Sequence, residues 1–156
     1  MNNIMALWNK LTGFLSGTIV ESIALLITRV ALAGVFWRSY KTKVEDGSWF
    51  DITDTTYFLF ENEYSGVPAL PSDFAAVMAT YSEFAFPILL VIGLFTRFAS
   101  AALLGMTLVI QFFVYPDAWW ATHILWVAMA AILISRGPGV ISLDHVLGLV
   151  TGKKAA

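Results

Sequence analysis

Two charged residues lie inside apolar segments that are long enough to cross a bilayer. Residues 74–98 carry Glu83 near their middle, and residues 22–37 carry Arg29. A charge inside the membrane is costly unless it has a partner. The order of the segments predicts that Arg29 and Glu83 form a buried ion pair. Two interpretations stay open, because such a pair either adjusts an acid for proton or quinone chemistry or fixes the register of two helices.

A second set of polar residues comes from the ends of the last two predicted spans. Gln111 and His123 each lie four residues from the outer end of a helix, so we expect them at one depth. Tyr115 follows Gln111 by one turn, and Glu61 or Glu63 from the outer loop could complete a small polar pocket. One interpretation is a site open to the outer face, with His123 as a metal or quinone ligand. The alternative is an interhelical hydrogen bond.

The composition limits the chemistry that this chain can perform. It has no cysteine, which excludes disulfides, thiolate metal sites and cysteine nucleophiles. The two histidines, His123 and His145, are predicted on opposite sides of the bundle, so no metal site is expected. The net charge of −2 gives no clustered basic face for nucleic acid.

Composition also determines the fold class. The 156 residues are 58% hydrophobic and 13% charged, with a mean hydropathy of +0.75, whereas a soluble domain is about a quarter charged. We predict an all-α integral membrane protein, a four-helix bundle in one domain over residues 1–156. The predicted spans cover about residues 20–38, 74–95, 98–115 and 119–135.

The segments around the spans have patterns of their own. Residues 4–15 repeat apolar positions at helical spacing, which predicts an amphipathic helix that lies on the membrane or, alternatively, packs on the bundle. Residues 39–73 form a long acid-rich outer loop. It contains a short helix capped by Asp51, Thr53 or Asp54 and ends at a break over residues 67–71.

Charge predicts the orientation of the spans. The basic residues on the side of the termini outnumber those on the side of the long loop, which places both termini in the cytoplasm and the protein in the inner membrane. This side includes the tight turn of Gly93, Thr96 and Arg97. The two basic sets are Lys10, Arg97, Arg136, Lys153 and Lys154 against Arg38, Lys41 and Lys43.

Several of these residues together resemble the DoxX family of small four-helix membrane proteins. The resemblance covers residues 23–147. In the first two spans it rests on Arg29, residues 34–41 and Glu83. After them it rests on the Gly-Leu-x-Thr-Arg turn at 93–97, the Arg-Gly-Pro-Gly motif at 136–139 and the Ser-Leu-Asp motif at 142–144. More narrowly, FENEYSGVPALP, residues 79–83 and VIQFFVYPDAWW resemble the DoxX proteins encoded beside bufferins, which are small copper-binding peptides.

The resemblance implies an accessory membrane subunit of a redox or metal-stress system, with copper as one such metal; the cofactor stays undetermined, with a quinone as the candidate. The family takes its name from a thiosulfate:quinone oxidoreductase, but the absence of cysteine argues against thiol-based sulfur transfer here. The alternative is a non-catalytic scaffold or carrier that presents its outer loop to a peptide or protein partner. A third interpretation is a homo-oligomer that associates in the lipid bilayer through small residues.

Overall fold

The computed structural model describes residues 2–64 and 70–152, and these residues form seven α-helices. The helices are α1 (Asn2–Leu15), α2 (Thr18–Lys41), α3 (Asp54–Asn62), α4 (Ser72–Ile92), α5 (Thr96–Val109), α6 (Ile124–Arg136) and α7 (Leu143–Thr151). Two π-helical turns, Ile110–Val114 and Trp119–His123, extend α5 and precede α6, with a 3₁₀ turn at Pro116–Ala118 between them. The predicted all-α class is confirmed.

Four of these segments are long and apolar enough to cross a membrane, as predicted. They are Thr18–Lys41, Ser72–Ile92, Thr96–Val114 and Pro116–Arg136. The predicted spans agree with them to within a few residues. The chain is therefore a multi-pass membrane protein, and its environment is a lipid bilayer. We call the end of the bundle that carries residues 42–64 the loop side, and the opposite end, where α2 begins and α6 ends, the terminal side.

The four spans pack in a closed ring. Helix α2 packs on α4, α4 on α5, α5 on α6, and α6 returns to α2. The centre is filled by large apolar side chains, among them Leu32, Phe36, Leu90, Leu103 and Leu133. Alanines in the same core allow the helices to approach closely, which is the usual way that helices pack in a membrane.

Helix α1 forms over the predicted residues but packs little on the bundle. It contacts mainly the start of α2. Its apolar side chains are exposed, including Ile4, Leu7, Trp8 and Phe14. An exposed apolar face directly before a membrane span is typical of a helix in the membrane interface. The interfacial location of α1 stays a prediction.

The loop side is built by residues 42–64 and the start of α4. A single antiparallel bridge joins Val44 to Ile52, and the Thr53 side chain then caps α3 by accepting a hydrogen bond from the Thr56 amide at 3.1 Å. Thr53 is thus the cap among the three predicted residues. Helix α3 packs on α4. The predicted break at Val67 and Pro68 and the basic pair Lys153 and Lys154 lie outside the described residues.

Candidate functional site

The predicted ion pair between Arg29 and Glu83 is wrong. Glu83 is paired with Lys43, whose Nζ lies 2.7 Å from Oε2, and the Ser39 hydroxyl donates to Oε1 at 3.1 Å. Arg29 lies ten residues before Ser39 on α2, which is about 15 Å along the helix axis. The two charges therefore lie at different depths, because α4 extends past the end of α2 on the loop side.

Arg29 instead caps the terminal-side end of α4. Its Nη1 donates to the carbonyls of Leu90, at 3.1 Å, and Val91, and its Nη2 donates to the carbonyl of Ile141. The last carbonyls of a helix have no partner within the helix and carry a partial negative charge. The two terminal nitrogens of this fully buried guanidinium thus donate to backbone oxygens rather than to a carboxylate, whereas its Nε has no hydrogen-bond partner among the described residues.

The predicted turn of Gly93, Thr96 and Arg97 is held by hydrogen bonds to α6 and to the start of α7. The Asp144 amide donates to the Gly93 carbonyl at 2.8 Å, and its carboxylate accepts from the amides of Phe95 and Thr96 at 2.8 and 2.9 Å. Asp144 thereby caps the start of α5. Arg97 donates to the Ile134 carbonyl at 2.7 Å. These contacts give the motif residues on the terminal side a structural role.

Gly93 is required by its backbone and by its surroundings. It ends α4 in the left-handed conformation, with φ of 70°. A Cβ atom there would collide with Nη1 of Arg29 and lie 2.6 Å from Cβ of Ser142. The close approach of Arg29 to the end of α4 therefore depends on a glycine at this position.

Polar side chains gather in the loop-side half of the bundle interior. We call them the loop-side polar layer: Ser39, Lys43, Thr80, Glu83, Thr107, Gln111 and His123. The Phe36 and Trp126 rings meet at 5.8 Å between α2 and α6. Ser39 and His123 lie about one turn beyond them, toward the loop side. The contacts of Ser39 with Glu83 and of His123 with Gln111 then link all four spans at this depth.

Gln111 and His123 face each other from the two π-helical turns. The Gln111 amide nitrogen donates to the Pro116 carbonyl at 2.6 Å, so its oxygen faces Nδ1 of His123, also at 2.6 Å. An amide oxygen only accepts, so Nδ1 carries the proton and Nε2 of the neutral ring has a lone pair. The predicted interhelical hydrogen bond is confirmed. Isolated π-helical turns are frequent at functional sites.

Tyr115 and Glu63, the other two residues of the predicted pocket, have different surroundings. The hydroxyl of Tyr115 lies 3.2 Å from that of Tyr64, and Tyr115 is half exposed. Glu63 is exposed at the end of α3. Burial, with a further contribution from the hydrogen bond to Tyr115, raises the pKa of Tyr64. The structure thus joins Gln111 to His123 and gives Tyr115 a partner that the sequence did not suggest.

Most polar groups of the layer are already satisfied within the protein. The hydroxyls of Thr80 and Thr107 donate to the carbonyls four residues earlier, at 2.7 and 2.8 Å. Among the described residues, Gln111 makes the only hydrogen bond to the His123 ring. The ring, which is 2% exposed, packs against Trp126 with 4.9 Å between centroids. Nε2 of His123 is therefore a ring acceptor without a hydrogen-bond partner among the described residues.

Sequence reasoning missed three residues of these clusters. Lys43 and Ser39 were not predicted as partners of Glu83, although their spacing of four residues is that of one helical turn. Asp144 appeared only as part of a motif. Within the described ranges, no group of three or more histidine, aspartate or glutamate side chains converges in a way that could hold a metal ion.

Comparison with known proteins identifies the family. The DoxX family model matches residues 24–116. An uncharacterized protein of Haemophilus influenzae is 30% identical over 154 residues, which cover 94% of this chain and 94% of that protein. No solved structure matches the chain. The match over more than half of the sequence and the similarity along nearly its whole length agree with the four-span bundle: the chain belongs to the DoxX family.

Proposed function

We propose that this protein is an accessory membrane subunit of a redox system, with the loop-side polar layer as the site that receives a small polar headgroup. The observation that supports this proposal is the free Nε2 of His123. It lies in the interior of the bundle beside the ring of Trp126, in the layer where the four spans carry polar side chains. A bundle has no structural need for a buried polar acceptor that is left without a partner.

The reduced form of a quinone fits the layer better than the oxidised form. The carbonyl oxygens of a quinone need donors, and the donors of Gln111, Thr80 and Thr107 are engaged within the protein. The hydroxyl of a quinol can instead donate to Nε2 of His123. A quinol would thus be oriented by His123, whose tautomer is fixed by Gln111, and its ring would lie near Trp126.

Binding of a short-tailed benzoquinol tests this proposal. The purified protein in nanodiscs is titrated without oxygen with the reduced and oxidised forms, and tryptophan fluorescence reports binding near Trp126. We expect saturable quenching and at least about tenfold tighter binding of the reduced form. One hydrogen bond between uncharged groups contributes about this factor when the buried acceptor would otherwise have no partner. Equal binding of both forms, or none, contradicts the proposal.

The two histidines provide a matched pair of variants. His123→Phe keeps an aromatic ring next to Trp126 but removes the acceptor, so it should abolish the preference for the reduced form. His145→Phe changes the histidine on α7, at the terminal side, and should leave binding unchanged. Loss of binding in both variants would indicate a general loss of folding, which circular dichroism detects.

A second candidate function is a scaffold that presents its loop side to a peptide or protein partner. The exposed aromatic side chains of residues 42–64 favour it, since Trp49, Phe50 and Phe58 are 57%, 59% and 61% exposed. The narrower resemblance to DoxX proteins encoded beside copper-binding peptides suggests a peptide of that kind as partner. Extraction from native membranes followed by mass spectrometry distinguishes the two functions, because a redox protein supports the first and a modified peptide the second.

The orientation belongs to the same proposal. With both termini in the cytoplasm of a cell with an inner membrane, the loop side would face outward, where a secreted peptide could reach it. A reporter fused at Ser48, in the loop-side turn, and another at the C-terminus test the orientation. A cytoplasmic signal from Ser48 contradicts it.

A further inference from the structure

An apolar groove runs along the lipid-facing surface between α2 and α4. Its volume is about 370 Å³, and it is lined by Val30, Ala33, Gly34 and Trp37 from α2 and by Pro87 and Val91 from α4. Two small residues and a proline leave this space on the outside of the helix pair. A Cβ atom built on Gly34 meets no atom within 4 Å, so the space beside it is open.

The loop-side end of the groove is covered by aromatic rings. Trp37 lies 5.8 Å from Phe84 and 6.3 Å from Trp49, between ring centroids. Tryptophan and tyrosine are enriched where a membrane meets water. The aromatic cluster thus indicates the level of the lipid headgroups, and the groove below it lies at the level of the acyl chains.

Two basic side chains lie above this end of the groove. Lys41 holds its ammonium 5.9 Å from the ring centroids of both Tyr40 and Trp49. Arg38 follows Gly34 by four residues and lies one turn above it. Both residues are exposed, and neither forms a salt bridge within residues 2–64 and 70–152. They differ in this respect from Lys43, which is bound to Glu83.

We propose that this groove binds one anionic phospholipid from the loop-side leaflet. An acyl chain occupies the groove between α2 and α4, and the phosphate is bound by Lys41 and Arg38. The charges distinguish this occupant from a neutral lipid, because each basic residue near the membrane surface attracts an anionic lipid by about 1 kcal/mol, or about fivefold in affinity. The apolar lining and the basic end match the two halves of such a molecule.

Native mass spectrometry of the full chain in mild detergent tests the proposal. The probes are phosphatidylglycerol and phosphatidylcholine with identical acyl chains. We expect one phosphatidylglycerol per chain, bound about 25-fold more tightly than phosphatidylcholine if both basic residues contribute. The double substitution of Arg38→Gln with Lys41→Gln should lower the affinity for phosphatidylglycerol to that for phosphatidylcholine. Equal affinities for the two lipids in the unaltered protein overturn the proposal.

Two glycine variants separate the groove from the rest of the lipid-facing surface. Gly34→Leu fills the groove and should weaken binding of both lipids at least tenfold. Gly105→Leu is the control, because Gly105 is also a helical glycine with open space beside it, but it lies on α5 and outside the groove. Equal lipid binding by the two variants overturns the proposal. A dimer that Gly34→Leu dissociates also overturns it, because a second copy then occupies the groove.

Discussion

The ammonium of Lys43 lies 2.7 Å from the carboxylate of Glu83, between the end of one span and the middle of another. Glu83 is 3% exposed and Lys43 is 15% exposed, so this ion pair is largely removed from solvent. The ion pair connects α4 to the loop segment that follows α2. Because Ser39 also hydrogen-bonds to Glu83, the pair determines where the loop side is attached to the bundle.

Glu83→Gln should destabilise the protein substantially. The substitution leaves the Lys43 ammonium without its counter-charge, and breaking a buried ion pair costs about 3 kcal/mol or more. We expect a loss near this lower value, since Lys43 retains some contact with water. Reversible unfolding in mixed micelles gives the free energy of unfolding.

The second salt bridge of the described residues provides the control for this measurement. Glu21 and Arg136 are paired on the terminal side, but their side chains are 36% and 63% exposed. Glu21→Gln should therefore lower the free energy of unfolding by less than about 1 kcal/mol. Similar losses for Glu21→Gln and Glu83→Gln would contradict the role assigned to burial.

Gly93→Ala should be among the most damaging small substitutions in the chain. It forces a non-glycine residue to φ of 70° and places its Cβ against Arg29 and Ser142. Backbone strain and overpacking each cost about 1–3 kcal/mol, so we expect a loss of about 2–6 kcal/mol in the free energy of unfolding. Arg29 would also lose its contacts with the end of α4.

Gly152→Ala isolates the backbone part of that effect. Gly152 has φ of 66°, close to that of Gly93, but no atom lies within 4 Å of the position of its Cβ. Its substitution should cost about 1 kcal/mol, the strain of the left-handed conformation alone. If both alanine variants lost the same free energy, the contact between Gly93 and Arg29 would have no energetic consequence.

The sequence predicted the spans and one of the two polar contacts. Four long apolar runs can hardly be interpreted otherwise, because backbone groups in lipid must be satisfied within a helix. Gln111 and His123 were predicted at one depth because they lie at equal distances from the short turn between their helices. A short hairpin fixes the register of its two arms, and the hydrogen bond follows from this register.

The partners of Arg29 and Glu83 could not be predicted in the same way. Helices α2 and α4 are joined by a long segment, which does not fix their relative height. The ion pair of Glu83 also uses Lys43, which lies beyond the end of α2. The Asp144 carboxylate accepts hydrogen bonds from amides 48 and 49 residues away in the chain, and no local sequence pattern predicts such a contact.

The stability of the loop side should depend on pH through Tyr64. Its pKa in the folded protein is raised above the ordinary value of 10.0, first by burial and then by the hydrogen bond to Tyr115. A group with a raised pKa contributes stability that is complete below its unfolded pKa and is lost as the pH rises toward its folded pKa. We therefore expect the free energy of unfolding to fall above pH 10.

Tyr64→Phe tests this dependence. The variant should be less stable than the unaltered protein near neutral pH by about 0.5–1.5 kcal/mol, the usual contribution of one hydrogen bond. The difference should shrink as the pH rises above 10, where the tyrosine of the unfolded chain becomes charged. Chemical denaturation at a series of pH values measures it. A difference that stays constant with pH would show that the Tyr64 hydroxyl is not shielded from solvent.

His123 should occur as the neutral tautomer with its proton on Nδ1. The Gln111 amide nitrogen is fixed by the Pro116 carbonyl, so only its oxygen is available to the imidazole ring. The ¹⁵N chemical shifts of labelled histidine distinguish a protonated from a bare ring nitrogen, and His145→Gln assigns the signals. Gln111→Leu removes the acceptor and should destabilise the protein by about 0.6–2 kcal/mol, as for other interhelical hydrogen bonds in membranes. A proton on Nε2 in the unaltered protein would mean that the acceptor proposed for a ligand hydroxyl does not exist.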